Sequence, residues 1–177
     1  MYYTISRECV TMGMSSKRLL KLLSNVGTEL SFNDLLTMSG LSPSTLRKYI
    51  KELVEMGYIV EKNGRYVISE KAKLVLEGEK LGHKIVSRDA AYLFTDEKGL
   101  PLPLMIDSVE KLYIAVKYGF VSPEIVVEHI ARGYLTKWLS EALGAHILAK
   151  HISNTKNIEE ILKILEEYIE YHVQATR

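Results

Sequence analysis

The stretch SGLSPSTLRKYIKELVEMGYIVEKNGRYVI, residues 39–68, carries more structural information than any other part of this 177-residue chain. Gly40 can take the left-handed conformation that ends a helix, and Leu41 can tuck into a core. Ser42 can cap the next helix, and Pro43 suits its first position, where no amide donor is needed. From Pro43 onward, Leu46, Ile50, Leu53 and Val54 recur at helical spacing as one apolar stripe. Ser44, Thr45, Arg47, Lys48 and Lys51 fall mostly on the other face, so hydroxyls and cations project outward together. Gly57 closes the helix. Tyr58 to Val60 and Arg65 to Ile68 then read as β-rich segments joined by Asn63-Gly64, whose preference for positive φ suits a two-residue type I′ hairpin. Lys62 and Arg65 flank its tip.

Ahead of this stretch the residues from Lys17 predict a helix and then a second, shorter one. The full order is helix, helix, tight turn, helix, two-stranded ribbon: a winged helix-turn-helix, mainly α with a small β-wing. The run LLKLLSNVGTELSFNDLLTMSGLSPSTLRKYIKELVEMGYIVEKNGRYVISEKAKLVL, residues 19–76, resembles the winged-helix domains of archaeal and bacterial transcription regulators in order and spacing. The resemblance is specific for the fold and not for a subfamily. It implies that the third helix enters the major groove of double-stranded DNA while the wing touches backbone or minor groove. On that basis Ser44, Thr45, Arg47, Lys48 and Lys51 would meet DNA from the helix, and Lys62 and Arg65 from the wing.

Those residue types fit the task for physical reasons. Lysine and arginine neutralise phosphates and release condensed counterions, hydroxyls donate to phosphates or base edges, and an arginine can grip guanine at two points. Arg47 is the expected base reader and the lysines the expected phosphate holders. A solvated helix face has the same composition, and some winged helices dock only proteins.

The chain is 47% hydrophobic and 25% charged, ordinary for a globular protein able to bury one good core or two small ones. Its net charge of +1 argues against a nonspecific coat on DNA. The charge is unevenly placed: residues 1–82 hold 12 Lys plus Arg against 9 acids, and residues 83–177 hold 11 against 13. The first half is therefore the expected polyanion binder, and its modest surplus calls for two copies on a two-fold site, as in a homodimer. The lone Cys9 can neither close an intramolecular disulfide nor build a zinc site alone, which fits a reducing interior. The first residues lack the basic start and apolar block of a signal peptide, and no apolar run is long enough to span a bilayer. The expectation is a cytoplasmic, soluble protein with no membrane partner. Lysine outnumbers arginine 16 to 7 and glutamine occurs once, at Gln174, a bias that fits a hyperthermophile. Residues 1–16 read as an arm or an extra strand.

After the wing, Ser69 can cap a helix over Glu70–Leu81, weakened by Gly78. The polar segment from His83 sets the expected boundary between a winged domain, residues 1–82, and a helical domain, residues 83–177. The second half opens with a strand at Ala91–Thr95, a turn at Asp96–Gly99 and an extended piece in which Pro101 and Pro103 forbid an interior helix or central strand. Ser108, Ser122 and Asn157 then mark helix starts, and Gly119, Gly133 and Gly144 separate helices. A C-terminal helical bundle is expected. The last helix places Ile158, Ile161, Leu162, Leu165, Ile169 and Val173 on one stripe, with Tyr168 and His172 at its margin. It can close its own bundle or pair with the same helix of a second chain.

The run DSVEKLYIAVKYGFVSPEIVVEHIARGYLTKWLSEALGAHILAKHI, residues 107–152, is similar to a small prokaryotic domain of unassigned function. The matching positions include Ser108, Glu110, His129, Arg132, Gly133, Trp138 and Gly144. The resemblance implies no activity. His129, Arg132 and Trp138 could hold an anion beside an aromatic wall, although a lone tryptophan and a neighbouring histidine more often serve a core. Glu128, His129, His146 and His151 lack a recognised metal spacing, so no metal is expected. With no glycine-rich phosphate loop, no Gly-x-Ser-x-Gly elbow and no HExxH, neither a cofactor nor a catalytic residue is expected. Three readings stay open: a DNA-binding regulator, a protein-docking winged helix in a transcription, replication or division assembly, and a small-molecule binder or enzyme built on the second half.

Overall fold

The computed structural model describes residues 15–27 and 29–173, which fall into two compact units, residues 1–72 and 73–177. Most of the arm or strand expected at residues 1–16, together with Cys9, lies outside the described residues, as do the side chains of His172 and Val173.

The first unit contains α1 (Ser16–Val26), β1 (Leu30–Ser31), α2 (Phe32–Ser39), α3 (Pro43–Glu55), β2 (Ile59–Lys62) and β3 (Arg65–Ile68). Its core is aliphatic: Leu19, Leu20 and Leu23 from α1, Leu35 from α2, Leu46, Ile50 and Leu53 from α3, and Leu30 and Ile59 from the strands. Val54, on the α3 stripe by spacing, is instead 40% exposed, because it lies at the margin of that stripe, about 100° round the helix from Leu53. The wing turns as the dipeptide predicts, with φ of 52° at Asn63 and 72° at Gly64. β1 adds a third, two-residue strand that pairs antiparallel with β3, giving the order β1-β3-β2. So short a strand leaves no alternation to read. It leads straight into a capping box: Ser31 Oγ accepts from the Asp34 amide at 3.2 Å, and Asp34 Oδ2 accepts from the Ser31 amide at 2.9 Å. The Ser31 hydroxyl, donating to Asp34 Oδ2 at 2.7 Å, and then the Ser31 amide hold the Asp34 carboxyl below its ordinary value, with the nearby Arg65 adding to the shift.

Helix α4 (Glu70–Leu81) starts where Ser69 predicts, the Ser69 hydroxyl accepting from the Ala72 amide at 3.1 Å. The division between units falls inside this helix, ahead of the polar segment from His83. Beyond it come a single 3-10 turn at Arg88–Ala90, the hairpin of β4 (Tyr92–Thr95) and β5 (Pro101–Ile106), and five helices. These are α5 (Val109–Lys117), α6 (Pro123–Ala131), α7 (Tyr134–Glu141), α8 (His146–Ser153) and α9 (Ile158–Val173). The extended piece after the turn is thus β5, antiparallel to β4 in a sheet of two strands, where no strand is central and the prolines meet no conflict. Asp96 Oδ1 builds the connecting turn by accepting from the amides of Lys98 and Leu100 at 2.9 and 2.8 Å.

The second core joins Leu74 of α4 and Phe94 and Ile106 of the hairpin to one face of each of the five helices. Ile161, Leu165 and Tyr168 of α9 are buried in it. The last helix therefore closes the bundle of its own chain. Gly78, which weakens α4 on propensity, has a packing reason: a Cβ there would lie 2.1 Å from the Tyr168 carbonyl oxygen of α9. Two further ties come from α4 and the residues after it. Glu77 accepts from the amides of Ile147 and Leu148, capping α8, whose own N-cap, Ala145, has no side-chain acceptor. Lys84 Nζ donates to the Ala142 and Leu143 carbonyls at the end of α7 at 2.9 and 3.0 Å.

Candidate nucleic-acid interface

The turn between α2 and α3 is built from local bonds. Gly40, at φ 65°, closes α2 through its amide to the Leu36 carbonyl at 3.2 Å, and Leu41 donates to Ser39 Oγ at 3.3 Å. Ser42 caps α3 by accepting from the Thr45 amide at 3.3 Å, and Pro43 takes the first helical position. Leu41 is half-buried and Leu46 fully buried, so the start of α3 is fixed against the core while its first hydroxyls face out.

Ser44, Arg47, Lys48 and Lys51 are all exposed, and their spacing of three and four residues puts them on one side of α3, opposite Leu46, Ile50 and Leu53. Thr45 is half-buried. Its hydroxyl lies 2.8 Å from Ser42 Oγ, which in turn lies 3.1 Å from Ser44 Oγ, so three hydroxyls gather over the amide end of α3. Donors at the positive end of a helix suit a phosphate oxygen.

Arg47 is held: its guanidinium lies 5.2 Å from the centroid of the Phe32 ring at the start of α2. The contact limits its rotamers while leaving the N–H fork free to meet two acceptors. Lys51 pairs with Glu55 at 3.8 Å, but both side chains are well exposed, so the pair is weak and a phosphate can replace it.

In the wing, Lys62 and Arg65 are directly opposed across β2 and β3. Like charges facing each other in a ladder are mildly destabilising until an anion arrives. Arg65 is partly satisfied already, donating to the Glu29 carbonyl at 3.4 Å, which leaves Lys62 as the more available wing cation. Two residues escaped the sequence reading as parts of this surface. The sequence marks Ser42 as a cap alone, although its hydroxyl joins the others, and Phe32 gives no signal because its role depends on a residue 15 positions away.

Of the other residues singled out from sequence, His129 and Trp138 both pack against the Tyr92 ring in the core, and Arg132 does not join them. His129 is 4% exposed, with Nδ1 2.6 Å from the Tyr92 hydroxyl and Nε2 3.2 Å from the Thr95 carbonyl. Trp138 is 9% exposed and donates from its indole N–H to the Ala90 carbonyl at 2.8 Å. Burial raises the Tyr92 hydroxyl well above the ordinary tyrosine range, so it stays protonated beside His129. Arg132 points outward and pairs with Glu128 at 2.5 Å. Two of the three are core hydrogen-bonding groups and the third belongs to the surface. Among the described residues no three His, Cys, Asp or Glu side chains are grouped to hold a metal, and no helix is long and apolar enough to cross a membrane.

Residues 15–60 match the family described as winged helix-turn-helix DNA-binding. The match spans α1 to the start of β2 and contains Ser44, Thr45, Arg47, Lys48 and Lys51. The match is confined to residues 15–60, and the element order observed there is that of a winged helix-turn-helix. No curated protein and no solved structure matches the chain.

Proposed function

We propose that this protein is a sequence-specific DNA-binding transcription regulator that acts as a homodimer, with α3 in the major groove and the wing against the backbone. The observation that carries the proposal is the division of α3 into an exposed Ser44, Arg47, Lys48, Lys51 face and a buried Leu46, Ile50, Leu53 face. Arg47, oriented by Phe32, reads a base edge. Lys48, Lys51, Lys62 and Arg65 hold phosphates, and the hydroxyls of Ser44 and Thr45 take a further phosphate or base contact. The second unit supplies the contact between copies, and its own bundle leaves α9 unavailable for that role.

The test is a fluorescence titration of the full chain on random duplex and on DNA upstream of its own gene, at two salt concentrations. Four phosphate contacts per domain in a dimer correspond to an affinity loss of about 10⁴-fold between roughly 50 and 200 mM salt. Absence of binding at the lower salt would overturn the regulator reading.

A second reading has an observation in its favour. Val54, Met56 and Val60, at the end of α3 and in β2, are 40%, 47% and 41% exposed, and exposed apolar side chains suit a winged helix that docks a protein. That reading expects no DNA binding at moderate salt. An enzymatic or ligand-binding role for His129, Arg132 and Trp138 draws no support from a buried His129 and Trp138 beside an outward-facing Arg132.

A further inference from the structure

The second unit leaves an apolar surface uncovered. Leu93 and Met105 are cross-strand partners on the outer face of the β4–β5 hairpin, opposite Tyr92 and Ile106, which face the core. Met105 also lines one shallow depression with Ile114 and Phe120 of the α5 region. A second depression runs from Met105 past Leu93 to Arg88 and Asp89. The four large side chains are 48%, 37%, 46% and 64% exposed in the order Leu93, Met105, Ile114, Phe120. Taking about 200 Å² for a large side chain, they present roughly 400 Å² of apolar surface. An ordinary stable interface covers about 800 Å² per partner and is a little over half apolar, so the patch matches the apolar share of one partner's side.

We infer that this face is where a second copy of the chain docks, related by a two-fold axis. The inference rests on the homodimer part of the proposed function and gives that contact a location. Charge favours a copy over a strongly charged partner: Arg88 and Asp89, adjacent and both exposed at the rim, present both signs, and a two-fold axis allows each to meet its opposite. The contact is face to face. Pro101 and Pro103 lack the amide donors that edge-to-edge extension of β5 would need.

Sedimentation equilibrium on the full chain at micromolar concentration tests this, with Phe120→Glu and, as a second variant at a different element, Leu93→Glu. The wild type is expected at twice the chain mass of 20.1 kDa. Either variant is expected to weaken dimerisation at least about 100-fold, since each substitution enters a two-fold contact twice. Circular dichroism and Trp138 fluorescence identify a variant that fails to fold, in which case the other decides. A monomeric wild type overturns the inference, and so does a dimer unmoved by a folded variant. A wild-type monomer whose apolar dye binding rises on removal of residues 1–14 would assign the patch to that segment and also overturn it. DNA titration of the same samples separates the two proposals: a patch-dependent dimer that binds no DNA keeps this inference and removes the regulator.

Discussion

The two units put their chemically eye-catching side chains to opposite uses. On α3 the polar residues at i, i+3, i+4 and i+7 stand against a continuous apolar stripe, and they are exposed. On α6 and α7, His129 and Trp138 are themselves part of the buried face, their polar atoms consumed by Tyr92, Thr95 and Ala90. The same side-chain chemistry is available to a ligand in one place and already spent on the fold in the other. What separates the two cases is the company along the helix: Arg47 sits among hydroxyls and cations, whereas His129 sits between Val126 and Ile130, both buried.

The largest expected effect tests the buried side of that contrast. His129→Ala removes the partner of the Tyr92 hydroxyl and opens a cavity against Phe94, so it is expected to destabilise the second unit by about 3–4 kcal/mol. Urea denaturation followed by the fluorescence of the single tryptophan reads that unit directly; a variant as stable as wild type would break the comparison. Gly78→Ala comes next, at about 2–3 kcal/mol, because a methyl group there meets the backbone carbonyl of Tyr168. The same melt detects it, and a gain in stability from better helix propensity would show that α4 and α9 can separate without cost.

On the exposed side, Arg47→Ala is expected to lower DNA affinity by about 1–3 kcal/mol and to relax preference at one base pair, while urea unfolding followed by circular dichroism, which reports both units, stays within about 0.5 kcal/mol of wild type. Lys51→Ala should weaken all sequences alike and reduce the salt slope by about 1 per domain. A change in sequence preference instead would exchange the roles given to these two residues. The smallest effect is set by pH. The Asp34 carboxyl is lowered by its bonds to Ser31, so its contribution to the first unit is complete above its ordinary value of 3.8 and is lost as pH falls through the lower folded value. Acid titration followed by circular dichroism is expected to show that loss, and Asp34→Asn should remove this part of the pH dependence.

Legibility in the sequence tracked the distance over which each signal acts. The turn at Gly40, the cap at Ser42, the Asn63-Gly64 hairpin and the exposed face of α3 all depend on neighbours within about one helical turn or one hairpin, and the chain states them locally. The starts of α4, α5, α6 and α9 were readable for the same reason. The features that escaped involve distant partners: Phe32 beneath Arg47, Glu77 capping a helix 70 residues away, and the Gly78 contact with Tyr168. Helix α9 could be read as closing its own bundle or joining a second chain because an amphipathic stripe states that it needs cover without stating whose. Val54 shows the reverse case: helical spacing places it at the margin of the stripe, and spacing alone does not say where the core ends.

The opposed Lys62 and Arg65 at the wing tip give ionic strength two effects of opposite sign on one protein. Dissolved salt shields the two cations from each other and so relaxes the empty hairpin, yet the same ions compete for the phosphates that would otherwise quiet that repulsion. Conditions that make the free wing most comfortable are thus those in which it has least reason to hold a duplex.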